Sequence, residues 1–94
     1  MLHFERDPEK EAINITKHGV DFDEAETVFD DVMSATDIDH HYRAELRFIT
    51  TGYSSFGRLL FVCHTDRDDA IRIISAKVAT PQERRSHELL GRQR

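Results

Sequence analysis

The residues best suited to chemistry in this sequence are arginines and histidines of its second half. Arg72 lies in the run Ala70 to Val78. In a regular strand it shares a face with Ile74 and Ala76, because side chains alternate. A charge among apolar neighbours must find a partner or stand at the edge of a site; the plainer reading is an ion pair to nearby aspartates or to an acidic helix. Ser75 and Lys77 fall on the opposite face of such a strand, so all three line one site only if a bulge or an edge intervenes. Arg84 and Arg85 are helical neighbours pointing about 100° apart, so one of them faces the sheet. His64 and His87 carry an imidazole whose ordinary pKa, near 6.5, suits acid–base work. A satisfied structural histidine is the plainer reading of each.

Other chemistries find less support. Asp37, Asp39, His40 and His41 are ligand types. Adjacent strand histidines point apart, however, and no second cluster has a familiar metal spacing. No metal or other cofactor is expected. A Gly-rich phosphate loop and a Gly-x-Ser-x-Gly elbow are both lacking from the sequence, which sets aside nucleotide hydrolases and serine hydrolases.

The elements that must position these residues follow from periodicity and caps. Leu2 to Arg6 alternates as a short strand. Asp7-Pro8-Glu9 starts a helix that runs to Lys17-His18 and stops at Gly19; Lys17 is accounted for by that helix end. Asp21 caps a second helix in capping-box spacing with Glu24, and Phe22, Ala25, Val28 and Phe29 form its apolar stripe up to Asp30-Asp31. The period then changes to two. Val32–Asp39, Leu46–Tyr53, Leu59–Thr65 and Ala70–Val78 read as strands, the last three joined by short turns into an antiparallel meander. Thr80-Pro81-Gln82-Glu83 opens a last helix ending at Gly91. The expectation is an α+β fold: two N-terminal helices and one C-terminal helix packed on an antiparallel meander sheet, with residues 1–94 forming one domain.

Composition bounds the reading. The 94 residues are 38% apolar with two prolines, enough for a thin core that a permanent protein partner would reinforce. The lone Cys63 fits a reducing compartment. No stretch resembles a signal peptide or approaches the roughly 18 apolar residues of a membrane span. A cytoplasmic protein without membrane contact is expected. The net charge of −5 argues against nucleic-acid binding until the chain is divided. Residues 1–41 hold three basic against twelve acidic side chains, and residues 42–94 ten against six. That asymmetry can give one small domain an acidic and a basic face.

Several segments, taken in order, resemble the BrnT family of toxins. They are Asp7-Pro8-Glu9-Lys10, Asn14 and Lys17-His18-Gly19-Val20; Phe22-Asp23-Glu24-Ala25 and Val28-Phe29-Asp30-Asp31; Arg47-Phe48-Ile49-Thr50 with Gly52; Leu59-Leu60-Phe61-Val62 with His64-Thr65; and Ile71-Arg72-Ile73-Ile74-Ser75-Ala76, Ala79-Thr80 and Glu83-Arg84-Arg85. Each tetrapeptide is weak alone; the ordered set spans nearly the whole chain. The sequence differs from the family pattern at Lys77, where an arginine often follows Ser-Ala, and at His87, where relatives often carry tyrosine.

The resemblance implies a RelE-like fold and a type II toxin–antitoxin ribonuclease. It also implies neutralisation by a BrnA-like antitoxin in a tight complex, 2:2 through antitoxin dimerisation, with operator DNA reached only through the antitoxin. Metal-free RNA cleavage needs cations on the phosphate, for which arginine's planar fork is suited, together with proton transfer to and from oxygen. On that reading Arg72, Arg84, His64 and His87 are the catalytic candidates, with Arg84 preferred to Arg85 because the resemblance runs through it. Arg47, Arg58, Ser75, Lys77, Arg85 and Lys17 are the RNA-binding candidates. Glu83 is better explained as the capping-box carboxylate than as a base. The competing reading is a non-catalytic partner-binding or co-repressor module on the same fold.

Overall fold

The computed structural model describes residues 2–92, with side chains to Leu90. In chain order the elements are β1 (His3–Glu5), α1 (Pro8–His18), α2 (Phe22–Thr27) continued by a 3-10 turn (Val28–Asp30), β2 (Ala35–Ile38), β3 (Phe48–Tyr53), β4 (Leu59–Arg67), β5 (Ala70–Val78) and α3 (Pro81–Arg92). The strands form one sheet in the order β1-β5-β4-β3-β2.

Local chemistry explains the element ends. Asp7 caps α1 by accepting from the Glu9 amide, and Gly19 closes it in the left-handed conformation, φ 67°. Asp21 caps α2 through the Glu24 amide, but the Glu24 side chain does not return the bond and reaches across the molecule instead. Thr80 and Glu83 form the full reciprocal capping box of α3, amide to side chain in both directions. The helix passes through Gly91 rather than stopping there. Strand β4 continues to Arg67, so the turn to β5 is the pair Asp68-Asp69, both at positive φ. Positive φ is the twist that a tight hairpin needs and that Asp tolerates.

The sheet is mixed, which corrects the purely antiparallel meander. Strands β2 to β5 are that meander, lengthened by one strand, while β1 lies parallel to β5. The long excursion through α1, α2 and β2–β4 between these two strands makes a parallel pairing possible. Beyond Glu5, where β1 ends, the buried Asn14 of α1 takes over its role. Its Oδ1 accepts from the Ala76 amide (3.0 Å), and its Nδ2 donates to the Ala76 and Val20 carbonyls (both 2.9 Å).

Helices cover both faces of the sheet. Val20, Phe22, Ala25 and Val28 pack on Leu60, Val62, Ile73 and Ala76 to form the core, with Phe4 and Phe29 against it. Gly52 lets this layer close on β3, because a Cβ there would lie 2.9 Å from Ser34 Cβ and 3.0 Å from Val28 Cγ1. The alternate residues of β3 and β4 (Thr51, Tyr53, Phe61) point to the other face, where α3 lies across one end.

Candidate functional site

A register shift in β5 decides where the basic residues go. Cys63 pairs with Ser75 but His64 pairs with Ile73, so Ile74 is an extra residue without a partner in β4. This β-bulge puts Ile73 and Ala76, three apart, on the same core face. It also returns Arg72, Ser75 and Lys77 to a single outer face, paired with Thr65, Cys63 and Phe61. The alternation rule alone separates Arg72 from the other two; the bulge removes that conflict.

Cross-strand register arranges this face in rows. One row holds Ala35, Thr51, Phe61 and Lys77; the next holds Asp37, Ile49, Cys63 and Ser75; a third brings together Thr65, Arg72 and Glu5 of β1. Arg72 is half-buried and makes no ion pair among the described residues. Burial raises the Cys63 thiol above its ordinary value, so it stays protonated near neutrality. Arg47 precedes β3 beside Cys63, its guanidinium stacked 3.5 Å over the Tyr42 ring and its Nε donating to Glu45 at 3.2 Å.

Helix α3 roofs the other end of the face. Between helix and sheet lies a cavity of about 550 Å³ lined by Ala35, Thr51, Tyr53, Phe61, His87 and Leu90, with Asp37, Glu83 and Glu88 among its polar groups. The Tyr53 hydroxyl donates to Glu88 at 2.8 Å; burial and that bond raise its pKa and keep it protonated. The half-buried His87 ring meets Tyr53 edge-on at 6.1 Å. Lys77 Nζ stands 5.3 Å over the Phe61 ring and 3.8 Å from Glu83. The Glu83 carboxyl lies below its ordinary value, chiefly because the Thr80 amide donates to it, so it is ionised and occupied as a cap. Arg84 and Arg85 are both exposed; Arg84 is the one near enough to Tyr53 to act on its charge.

Three candidates lie elsewhere. His64 belongs to the core face, 3% exposed, stacked on Phe48 and edge-on to Phe29, with Nε2 2.8 Å from Thr50 Oγ1. Its Nδ1 has no hydrogen bond, and Asp66 is 3.4 Å away. Burial lowers its pKa, partly opposed by Asp66. The whole sheet separates His64 from Arg72, so the two share no site. Arg58 is engaged within the fold. Its guanidinium grips the buried Glu24, with Nε to Oε2 at 2.9 Å and a second contact to Oε1, and donates to the Gly19 carbonyl at 3.1 Å. This pairing and the Ser54 hydroxyl hold the Glu24 carboxyl below its ordinary value despite burial. Arg58 is therefore a clamp between α2 and the β3–β4 turn. Lys17 sits in the last turn of α1, on the helix layer over the core face.

The aromatic cavity escaped the sequence reading. Its signal was present: Tyr53 and Phe61 occupy strand positions of the same parity as Thr51 and Cys63. Only the pairing of β3 with β4 and the crossing of α3 turn that parity into an enclosure. Among the described residues no group of three or more His, Cys, Asp or Glu could hold a metal ion.

Comparison with known proteins bears on the chain as a whole. None of the curated protein sequences matches the chain. Among solved structures it is similar to the Brucella abortus ribonuclease toxin BrnT, with a TM-score of 0.64 and 22% identity over 85% of this chain and 99% of that one. That likeness speaks for the fold. A family model described as the ribonuclease toxin BrnT of a type II toxin–antitoxin system matches residues 7–83, a span from the cap of α1 through β5 into the first turn of α3. The chain belongs to the BrnT family of ribonuclease toxins.

Proposed function

We propose that the outer sheet face, from Arg72 to the edge of α3, is the site of a metal-independent endoribonuclease. The observation carrying this reading is the bulge at Ile74, which aligns Arg72, Ser75 and Lys77 on one surface and leaves Arg72 without an ion pair among the described residues. About 15 Å of strand separates Arg72 from Lys77, with Ser75 between them, and side chains of that length can reach toward it from both ends. A phosphate seated over Ser75 would be held by Arg72's planar fork and Lys77's point charge.

In the reaction the RNA 2′-oxygen forms a bond to phosphorus as the bond to the 5′-oxygen breaks. The products are a 2′,3′-cyclic phosphate and a 5′-hydroxyl. The cations stabilise charge gathering on the phosphate oxygens. Of the two candidate histidines, His87 alone stands on this side of the sheet, and it is assigned to proton transfer. Arg84, on the flank of α3, adds a further cation near Tyr53, and Arg47 and Arg85 extend the basic surface along the RNA backbone. His64 and Arg58 are assigned structural roles, and Lys17 no role in this site.

The remaining expectations belong to the same reading: a RelE-like fold, a BrnA-like antitoxin covering the site in a 2:2 complex built on an antitoxin dimer, and DNA contact through that antitoxin alone. Expression of the wild-type chain in a bacterial host should arrest growth and leave RNA fragments with cyclic-phosphate ends. Purified protein should retain cleavage in chelator, and Arg72→Ala should lower it by about 100-fold or more. Normal growth with folded wild-type protein would leave only the non-catalytic binding module, and loss of activity in chelator would overturn metal independence.

A further inference from the structure

We propose that the cavity under α3 is a guanine-binding subsite for the RNA substrate, and that Asp37 reads the base. This deepens the ribonuclease reading and rests on it. The cavity's walls are the right kind for a nucleobase: Phe61 and Tyr53 from the sheet and His87 from the helix offer ring faces and edges in a space of about 550 Å³. Base–aromatic stacking alone discriminates weakly, because every base has a π-face.

The discrimination comes from the polar rim. Beside Thr51, Gln82, Ser86 and the His87 ring it carries three carboxylates, and an ionised carboxylate only accepts hydrogen bonds. Two of them are engaged: Glu83 accepts from the Thr80 amide beside Lys77, and Glu88 accepts from the Tyr53 hydroxyl. Asp37 is exposed and makes no hydrogen bond or ion pair among the described residues. Guanine alone presents two adjacent donors, N1–H and the 2-amino group, to a single carboxylate. Adenine and cytosine place an acceptor beside their amino group, and uracil flanks its one N–H with two carbonyls, so each would set an oxygen or nitrogen lone pair against Asp37. Lys77, at the cavity wall over Phe61, can meet the phosphate attached to a base held there. The subsite is thus continuous with the row carrying Ser75.

Two measurements test this. In the first, Arg72→Ala protein is titrated with guanosine monophosphate and with uridine monophosphate, following the Tyr53 and His87 resonances by NMR. Guanosine monophosphate should bind at least about tenfold more tightly, and Asp37→Asn in the same background should abolish the difference. In the second, wild-type protein cleaves oligonucleotides carrying guanine, inosine or uracil at each position near the cut. Inosine, which lacks the 2-amino group, should cleave several-fold more slowly than guanine, and Asp37→Asn should cleave the two alike. Equal binding of the two nucleotides, or a guanine preference unchanged in Asp37→Asn, overturns the subsite even if the protein cleaves RNA. Discrimination by a protein that cleaves nothing would keep the subsite and sink the catalytic reading alone.

Discussion

At the scale of single residues, two side chains drawn from the basic and titratable set turn out to hold the fold together. His64 is neutral in its core position because burial disfavours the imidazolium. Its folded pKa lies below the ordinary 6.5, so the unfolded chain takes up a proton first as the pH falls. The stability associated with the neutral ring is therefore complete above about pH 6.5 and is lost as the pH drops through 6.5 toward the lowered folded value. Urea titrations between pH 5 and 8 should show that decline, and His64→Phe should flatten it while removing the Thr50 bond. Arg58 behaves similarly as a fold residue. Arg58→Ala leaves the 3%-exposed Glu24 side chain without its counter-charge, and should cost about 2–3 kcal/mol in denaturant unfolding. The figure is at or below the lower end for a broken buried pair because the Arg58 guanidinium itself is partly in water. At a temperature where the variant remains folded, its RNA cleavage should match wild type, a result that an RNA-binding Arg58 would not give.

Among the elements, α3 adds nothing buried to the core, yet in the proposed site it carries His87 and Arg84. None of its described residues is buried, and Leu89 and Leu90 are 55% and 59% exposed. It is held at its start by the Thr80–Glu83 box and along its length by the Tyr53–Glu88 bond and the Lys77–Glu83 pair. Exposed pairs of this kind stabilise by a kcal/mol or less each. A chain ending at Thr80 should therefore keep its sheet and its dispersed NMR spectrum. It should lose activity together with His87 and Arg84, and collapse of the sheet would refute the weak coupling. Strand β5 is the opposite case. Its bulge and its outer edge are pinned by Asn14, which satisfies both the amide and the carbonyl of Ala76. Asn14→Leu leaves both groups buried without partners and should destabilise the fold by about 2–4 kcal/mol, measured by urea unfolding.

For the molecule as a whole, the uneven charge becomes a layout. The acidic helices α1 and α2 lie on one side of the sheet, where Arg6 gathers Glu11, Asp23 and Glu26; Arg72 and Lys77 lie on the other. A net charge of −5 is thus no obstacle to the cluster of cations in the proposed site. If Arg72, Lys77 and Arg47 each neutralise one phosphate of single-stranded RNA, log affinity should fall with log salt at a slope of about −2. Fluorescence titrations from 50 to 200 mM salt measure it, and a slope near zero would remove the phosphate contacts. Among the described residues no helix is long and apolar enough to cross a membrane.

What the sequence determined by itself is whatever depends on neighbours in the chain. The Asp7 and Asp21 caps, the stop at Gly19, the Thr80–Glu83 box, the span of β5 and the apolar stripe of α2 are set by bonds within about four residues, and each appears where its spacing places it. The family was also legible there, because an ordered set of short segments survives without any knowledge of contacts. The tertiary structure decided the features that arise between distant segments. The parallel seat of β1 beside β5 and the crossing of α3 over the outer face depend on which surfaces meet. So does the pairing of Arg58 with Glu24, since Glu24 is 34 residues away. The proposed site turned on one unpaired residue. A period of two, applied to β5, splits Arg72 from Ser75 and Lys77, and no local signal marks Ile74 as extra. The bulge exists because Ile73 and Ala76 must both face the core while β4 keeps its regular alternation opposite them.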